Sequence, residues 1–223
     1  MPSLAERLQS VTDEVAQAAR DARRDPAEIA TIVVTKFHPP SLVRELYELG
    51  VRDFGESRHQ EAQPKVAELA DLEATWHFIG QLQSKKARQV RAYCDVLHSI
   101  DRISLVDALV TEQGSTDVFV QVNLTDDEGR GGVSPAELLP LADAVEQAAG
   151  LRLRGLMAVA ALGVEPRRAF ARVRELSELL RVGHPDADQL SMGMSGDFAA
   201  AIAEGATHLR IGTAITGNRP EHG

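Results

Sequence analysis

Two patterns of apolar residues alternate along this chain: stripes with the three- to four-residue spacing of a helix, and short β-branched runs. The first stripe predicts a helix over residues 4–22. Its members are Leu4, Leu8, Val11, Val15, Ala18 and Ala22. The run from Thr31 to Lys36 then predicts a strand, and Pro39-Pro40 opens a second helical stretch. These segments form a first strand–helix unit.

The same alternation continues along the rest of the chain. Counting the first run, it predicts eight strands, near residues 31–36, 53–55, 76–80, 96–100, 118–124, 153–158, 189–193 and 208–212. Helical patterns lie between them, over 58–69, 84–93, 102–112, 135–148, 166–182 and 197–204. Parallel strands need crossover connections, so eight such units favour an α/β fold, a (β/α)8 TIM barrel with an extra amino-terminal helix. An open doubly wound sheet fits the same alternation and is the alternative.

Composition narrows the class of protein and the class of partner. The 223 residues are 43% hydrophobic and 26% charged and contain no low-complexity tract, so we expect one domain over residues 1–223. A formal net charge of −9 argues against nucleic acid and anionic membrane as partners. The lone cysteine, Cys94, and an amino terminus without a continuous apolar segment predict a cytoplasmic protein. No apolar run is long enough to span a membrane.

Lys36 ends the first predicted strand, directly after four residues without charge. One interpretation is a lysine that extends into solvent, as most strand-terminal lysines do. The other is a Schiff-base lysine at a partly desolvated barrel mouth, because the carboxyl ends of barrel strands face the active site. Its position alone does not decide between them.

Two clusters of small polar residues follow the seventh and eighth strands, where barrels commonly bind phosphate. Ser191 and Ser195 offer hydroxyl groups, and Gly193 lets the backbone approach an anion. Gly212 and Thr213 offer a backbone amide pair and a third hydroxyl. Ordinary turn and helix-cap roles explain either cluster alone but explain their pairing less well. Lysine plus phosphate is therefore the one coherent constellation in the sequence.

Other residues are less informative. Arg210 needs an acceptor if it is buried, which could be a carboxylate such as Asp53 or Glu56, or a ligand atom. His77 fits an inner-barrel histidine with its own hydrogen-bond partners. The seven histidines, at 38, 59, 77, 98, 184, 208 and 222, form no His/Cys cluster, so we predict no metal site. The segment 126–132 is predicted to be a flexible loop over the mouth.

Taken together, several short motifs make the chain similar to the YggS/PROSC family of pyridoxal phosphate homeostasis proteins, whose fold matches the amino-terminal barrel of alanine racemase. The motifs span nearly the whole chain. They are Val33-Val-Thr-Lys36, Phe54-Gly-Glu-Ser57, His77-Phe-Ile-Gly80 with Leu82-Gln-Ser84, Gly155-Leu-Met157, Leu190-Ser-Met-Gly-Met-Ser195 and Arg210-Ile-Gly-Thr-Ala-Ile215.

The resemblance implies that pyridoxal 5′-phosphate (PLP) is held as a Schiff base on Lys36. It also implies that Arg210 faces the pyridine nitrogen, which disfavours ring protonation and weakens the ring as an electron sink. By the same resemblance, four residues surround the phosphate: Ser191, Ser195, Gly212 and Thr213. The full set of candidate cofactor-binding residues is Lys36, Ser57, His77, Ser191, Met192, Ser195, Arg210, Gly212 and Thr213.

The resemblance further implies a PLP-binding protein for vitamin B6 homeostasis and amino- and keto-acid balance, without efficient catalysis. Alanine racemase takes a second base, a tyrosine, from a separate β domain, and we expect no such domain here, which also favours a monomer. Apo forms of PLP-dependent enzymes are expected as recipients of the cofactor. A weak racemase-type enzyme is the alternative, and a Schiff-base aldolase for sugar phosphates has less support. Ser57 and Lys85 stand where the family usually has Asn.

Overall fold

The strands of the computed structural model, which describes residues 2–125, 127–161 and 163–219, form a closed barrel in the order β1 to β8. They are β1 Ala30–Val34, β2 Asp53–Glu56, β3 Thr75–Phe78, β4 Val96–Ile100, β5 Thr116–Gln121, β6 Leu151–Met157, β7 Gln189–Ser191 and β8 His208–Ile211. Every neighbouring pair is parallel, and β8 pairs with β1 to close the ring. The predicted (β/α)8 barrel is confirmed, and the open sheet is excluded.

Helices connect the strands on the outside of the barrel. They are α1 Leu4–Asp21, α2 Pro40–Glu48, α3 His59–Glu68, α4 Ala87–Arg91, α5 Ile103–Leu109, α6 Leu138–Gln147, α7 Pro166–Gly183, α8 Phe198–Ala203 and α9 Thr213–Thr216. None of these helices is both long and apolar enough to cross a membrane. In the same described ranges no group of three His, Cys, Asp or Glu side chains could hold a metal ion. Asp126 and His222 lie outside the described residues.

The predicted extra helix, α1, packs against α8 and α9. It begins with a capping box, in which Ser3 and Glu6 each accept a backbone hydrogen bond from the other. From α1 the Arg7 Nε donates to the carbonyl of Ile215 at 2.7 Å, and from the turn that follows, the Arg24 guanidinium donates to the carbonyl of Ala206 at 2.6 Å. The first helix therefore supports the segments that follow β7 and β8.

The strands separate two cores, because successive side chains of a strand point to opposite faces. Outward-facing residues such as Val33 and Phe54 pack beneath the helices in the main hydrophobic cluster. Inward-facing residues line the barrel axis: a Cβ placed on Gly55 would lie 3.0 Å from Ile32 and 3.4 Å from Val34. Lys36 lies two residues beyond the end of β1.

Several strands end earlier than the sequence pattern predicts. β1 ends at Val34 rather than at Lys36, because Thr35 to His38 form a turn in which the His38 N–H donates to the Thr35 carbonyl at 3.1 Å. Phe37 occupies the third position of that turn with φ +69°, a left-handed conformation that ends the strand. Periodicity does not show where such a strand ends, because Thr35 is β-branched and continues the strand pattern into the turn.

Candidate cofactor-binding site

The carboxyl ends of all eight strands lie at one end of the barrel, which we call the mouth, and Lys36 lies there in the turn after β1. Its side chain is exposed, as the first of the two interpretations of this lysine has it, rather than partly desolvated. The Nζ atom lies 5.9 Å from the centroid of the Phe37 ring. Within the described ranges no carboxylate forms an ion pair with this amine and no acceptor hydrogen-bonds to it. The amine is therefore available to a ligand.

A buried charged pair lies directly behind the Lys36 turn. The Lys65 ammonium, on α3, donates to Glu56 Oε1 at 2.5 Å and to the Thr35 carbonyl at 2.9 Å. Glu56 also accepts from the Thr35 hydroxyl at 2.7 Å. Burial raises the pKa of Glu56 above its usual value, although the Lys65 charge opposes the shift. Glu61 accepts from the Phe37 N–H at 3.1 Å, so both ends of the turn are anchored to α3 or β2.

The loop after β7 is joined to strand β8 by a hydrogen bond of 3.0 Å from the Arg210 N–H to the Gly193 carbonyl, next to the start of the loop after β8. Ser195 is half-buried in the first loop, and Thr213 is exposed at the start of α9. Among the residues that the structure describes, neither hydroxyl has a hydrogen-bond partner. Two unpaired hydroxyls thus stand where the sequence predicts a phosphate.

Two glycines in these loops have different physical roles. A Cβ on Gly193 would lie 2.7 Å from the Cβ of Ala201, and φ at this position is +95°, so glycine is required for packing against α8. The sequence suggested that Gly193 allows the backbone to approach an anion, whereas the contacts explain this glycine by its packing. Gly212 lies beside Val34, since a Cβ here would be 3.5 Å from the Val34 Cβ. The β8 loop is therefore next to the strand that leads to Lys36.

Arg210 is buried inside the barrel, 4% exposed, and is held at two points. One terminal nitrogen donates to Ser191 Oγ at 2.7 Å, and the other donates to the Ala158 carbonyl at 2.9 Å. Burial lowers the pKa of Arg210 to about 10, which leaves it a cation at neutral pH. Its acceptors are thus neutral oxygens. The suggested ion pair with Asp53 or Glu56 is wrong, because Glu56 is bound to Lys65 and Asp53 to His77.

Histidines fill the barrel interior below Arg210. His77 Nε2 lies 3.0 Å from Asp53 Oδ1, and His77 Nδ1 lies 3.0 Å from His98 Nε2. His98 Nδ1 lies 2.8 Å from Ser191 Oγ. Burial lowers the pKa of His98 well below its usual value and lowers the pKa of His208 to about 4, so both rings are neutral at pH 7.

Three of the candidate cofactor-binding residues, His77, Met192 and Ser57, are not grouped with Lys36 and the hydroxyls at the mouth. Both ring nitrogens of His77 are hydrogen-bonded within the barrel, so the inner-barrel interpretation fits and no polar atom remains for a cofactor. The Met192 side chain is buried in the outer core, and its N–H donates to the His208 carbonyl. Ser57 lines a cavity of about 160 Å³ between the loops after β2 and β3.

Sequence reasoning missed Lys65 and His98 as parts of this region, and it considered Asp53 only as a partner of Arg210, whereas Asp53 is bound to His77. For Lys65 a signal existed, because the buried residues Ala62, Lys65 and Leu69 follow one another at helical spacing and place a charge on an apolar face. His98 lies within an otherwise uncharged strand, which was a second signal. Nothing in the sequence pairs Asp53 with either histidine.

Comparison with known proteins places this geometry in a family. Residues 8–220 match the family described as alanine racemase, N-terminal domain. The chain is 44% identical to the pyridoxal phosphate homeostasis protein of Pseudomonas aeruginosa, over 98% of this chain and 97% of that protein. It is 40% identical to the protein of the same name in Escherichia coli, over 98% of each chain.

Solved structures agree with the sequence matches. PipY of Synechococcus elongatus, solved with PLP bound, is 37% identical and superposes with a TM-score of 0.83, covering 96% of this chain and 100% of that one. Alanine racemase of Corynebacterium glutamicum has the same barrel, with a TM-score of 0.71 at 17% identity, and the match covers 97% of this chain and 63% of the racemase. The chain is therefore a member of the pyridoxal phosphate homeostasis protein family, with the fold of the alanine racemase amino-terminal domain.

Proposed function

We propose that this protein binds PLP covalently on Lys36 at the barrel mouth and serves PLP (vitamin B6) homeostasis and amino- and keto-acid balance. One observation carries the proposal: an unpaired lysine amine, two unpaired hydroxyls and a buried arginine cation converge on one end of the barrel. The names of the relatives and the PLP-bound PipY structure support it.

These groups match the parts of PLP. The cofactor supplies an aldehyde, and an amine condenses with an aldehyde by forming a C=N bond and releasing water. Lys36 supplies that amine. Ser195 and Thr213, with the backbone at Gly212, donate to the phosphate in this proposal. Arg210 uses two of its five N–H groups within the described structure, which leaves donors for the ring nitrogen.

Ser191 takes a different place in this arrangement from the one that its hydroxyl suggests in the sequence. Its side chain is fully buried, and its oxygen lies between Arg210 and His98. A hydroxyl has one proton, so a Ser191 hydroxyl that donates to His98 has no proton left to donate to a phosphate. We therefore assign Ser191 to holding Arg210, and the predicted phosphate contact remains a prediction.

A role in binding rather than turnover fits the positions of the tyrosines. Tyr47 lies on α2, where the Arg52 guanidinium is 3.9 Å from its ring centroid. The Tyr93 hydroxyl is 3.2 Å from His59 Nδ1, between the helices outside the strands. Neither tyrosine lies at the mouth to act as a second base. A racemase-type enzyme is therefore the second candidate.

Labelling of the lysine tests the proposal. The purified protein is incubated with PLP, reduced with borohydride and digested, and the modified peptide is sequenced. We expect a visible absorption band that reduction removes and a label on Lys36. Lys36→Ala abolishes both, whereas the control Lys85→Ala, at an exposed lysine, leaves both unchanged. An unlabelled wild-type protein contradicts the proposal.

Exchange of the α-hydrogen of amino acids with solvent deuterium would favour the racemase-type enzyme.

The proposal extends to domain organisation, oligomeric state and partners. We take residues 1–223 as one domain that acts as a monomer and passes PLP to apo forms of PLP-dependent enzymes. Sedimentation of the purified protein tests the monomer. Recovery of activity by an apo-enzyme mixed with the PLP-loaded protein, compared with the same concentration of free PLP, tests the transfer. The cytoplasmic location stays a prediction.

A further inference from the structure

A continuous series of hydrogen bonds runs through the barrel interior from Asp53 to Arg210. It passes from β2 through His77 on β3 and His98 on β4 to Ser191 on β7, and it ends on β8. Barrel interiors are usually filled by branched apolar side chains. Here the middle members are 0–2% exposed, and burying such groups is unfavourable unless each has a partner. Each of them has one, at 2.7–3.0 Å.

With both histidines in their neutral forms, the chemistry of the two ends gives the series a single direction. An ionised carboxylate only accepts hydrogen bonds, so the one ring proton of neutral His77 lies on Nε2 and faces Asp53. His77 Nδ1 then accepts from His98 Nε2, and the neutral His98 ring accepts at Nδ1. The Ser191 hydroxyl donates its proton to His98 Nδ1, and a lone pair of the Ser191 oxygen then faces Arg210. A guanidinium only donates hydrogen bonds, so the bond from Arg210 to this lone pair has the same direction as the bonds that begin at Asp53.

We propose that Asp53, His77 and His98 are positioning residues that orient Ser191 as an acceptor and so hold the Arg210 guanidinium against the ring nitrogen of bound PLP. This inference rests on the proposed function. Without His98 the Ser191 hydroxyl rotates freely, and it can turn its proton toward Arg210, where no acceptor remains. Arg210 is then held only by the Ala158 carbonyl. A contact made by a preorganised group is lost when that group becomes mobile.

His208 provides a matched control in the same core. Its ring centroid lies 6.4 Å from that of His98 and 5.2 Å from that of Phe119. Its hydrogen bond goes to Thr207 Oγ1 at 2.8 Å, outside the series. His98→Phe breaks the series, His208→Phe makes the same change beside it, and His98→Gln keeps an acceptor for Ser191 and a donor for His77.

The experiment compares two ligands on the full-length protein. One is PLP, and the other is its benzene analogue, in which C–H replaces the ring nitrogen while the aldehyde and phosphate remain. Absorbance titration gives Kd for both, and circular dichroism confirms that each variant is folded. For the wild type we expect PLP to bind about 10-fold more tightly than the analogue, the usual effect of one hydrogen bond to a charged group. His98→Phe brings the ratio near one, whereas His208→Phe and His98→Gln preserve it.

The outcomes separate this inference from the function on which it rests. A wild-type protein that binds neither aldehyde covalently removes the proposed function. A wild type that binds both ligands equally well, or a folded His98→Phe variant that keeps the wild-type ratio, overturns the inference alone. If His98→Phe does not fold, Asp53→Ala decides: Asp53 is about one-third exposed at the other end of the series, and its loss must lower the ratio in the same direction. An unchanged ratio there also overturns the inference.

Discussion

The buried ammonium of Lys65 donates a hydrogen bond of 2.9 Å to the carbonyl oxygen of Thr35, the residue before Lys36. The same carbonyl accepts from the His38 N–H and so closes the turn that carries Lys36. The turn contains a non-glycine residue with φ +69°, a conformation that persists only where surrounding contacts enforce it. The pair of Lys65 and Glu56 is one of those contacts.

Removing the Lys65 charge is therefore expected to destabilise the protein strongly. Lys65→Met leaves Glu56 buried without its partner, and breaking such a pair costs roughly 3–5 kcal/mol. The double change Lys65→Met/Glu56→Leu removes both charges and should recover most of that loss. Urea unfolding of the two variants measures the difference. Equal stability of the single and double variants would show that the pair is not what holds this region.

A second prediction concerns the contact between the loops after β2 and β3. A Cβ on Gly80 would lie 2.1 Å from the Ser57 carbonyl oxygen, closer than atoms can approach. We expect Gly80→Ala to lower the free energy of unfolding by more than about 2 kcal/mol, as overpacking does. The control is Gly183→Ala at the end of α7, where nothing lies within 4 Å, and we expect no destabilisation there. A stable Gly80→Ala variant would contradict the packing of these loops.

A third prediction separates phosphate binding from aldehyde binding. Ser195→Ala and Thr213→Ala each remove an unpaired hydroxyl at the mouth, so each should weaken the binding of PLP by about 10- to 150-fold, corresponding to roughly 1.5–3 kcal/mol for a hydrogen bond to a charged group. Affinity for pyridoxal, which has no phosphate, should be unchanged. Ser104→Ala, at an exposed serine of α5, serves as the control. Equal losses for PLP and pyridoxal would place the phosphate elsewhere.

The neutral histidines of the core predict a loss of stability in mild acid. The pKa of His208 is about 4 when folded and about 6.5 when unfolded, so between about pH 6.5 and pH 4 the unfolded chain binds a proton that the folded chain does not. His98 acts in the same direction. From pH 7 to pH 5 the free energy of unfolding should fall by about 2 kcal/mol for His208 alone. His208→Leu should reduce this dependence; urea midpoints that do not change with pH would refute it.

The barrel could be predicted from the sequence because its signals are local. Each strand is a short apolar run, and each helix has its own stripe, so the number of strands and their succession along the chain follow without knowledge of contacts. The closure of the barrel did not follow, because an open sheet fits the same alternation. Lys36 and the polar loops after β7 and β8 were also accessible, since the carboxyl ends of barrel strands mark the mouth. The four-residue helix α9 was not predicted, because a single turn has no periodicity.

The interior of the barrel could not be predicted in the same way. His98 and Ser191 are 93 residues apart in sequence and meet only because β4 and β7 face the same axis. For Arg210 the sequence suggested a carboxylate or a ligand atom, and its partners within the protein are a hydroxyl and a backbone carbonyl rather than a carboxylate. Which polar groups share a closed interior depends on the stagger of the strands, and a pattern along one strand contains no information on that stagger.

The pairing of β1 with β8 also determines when the site can exist during synthesis. Lys36 is synthesised well before Ser195, Arg210 and Thr213 are added to the chain. Until β8 pairs with β1, a nascent chain presents Lys36 without the groups proposed to hold phosphate and ring. Stable capture of the cofactor would therefore distinguish finished molecules from unfinished ones.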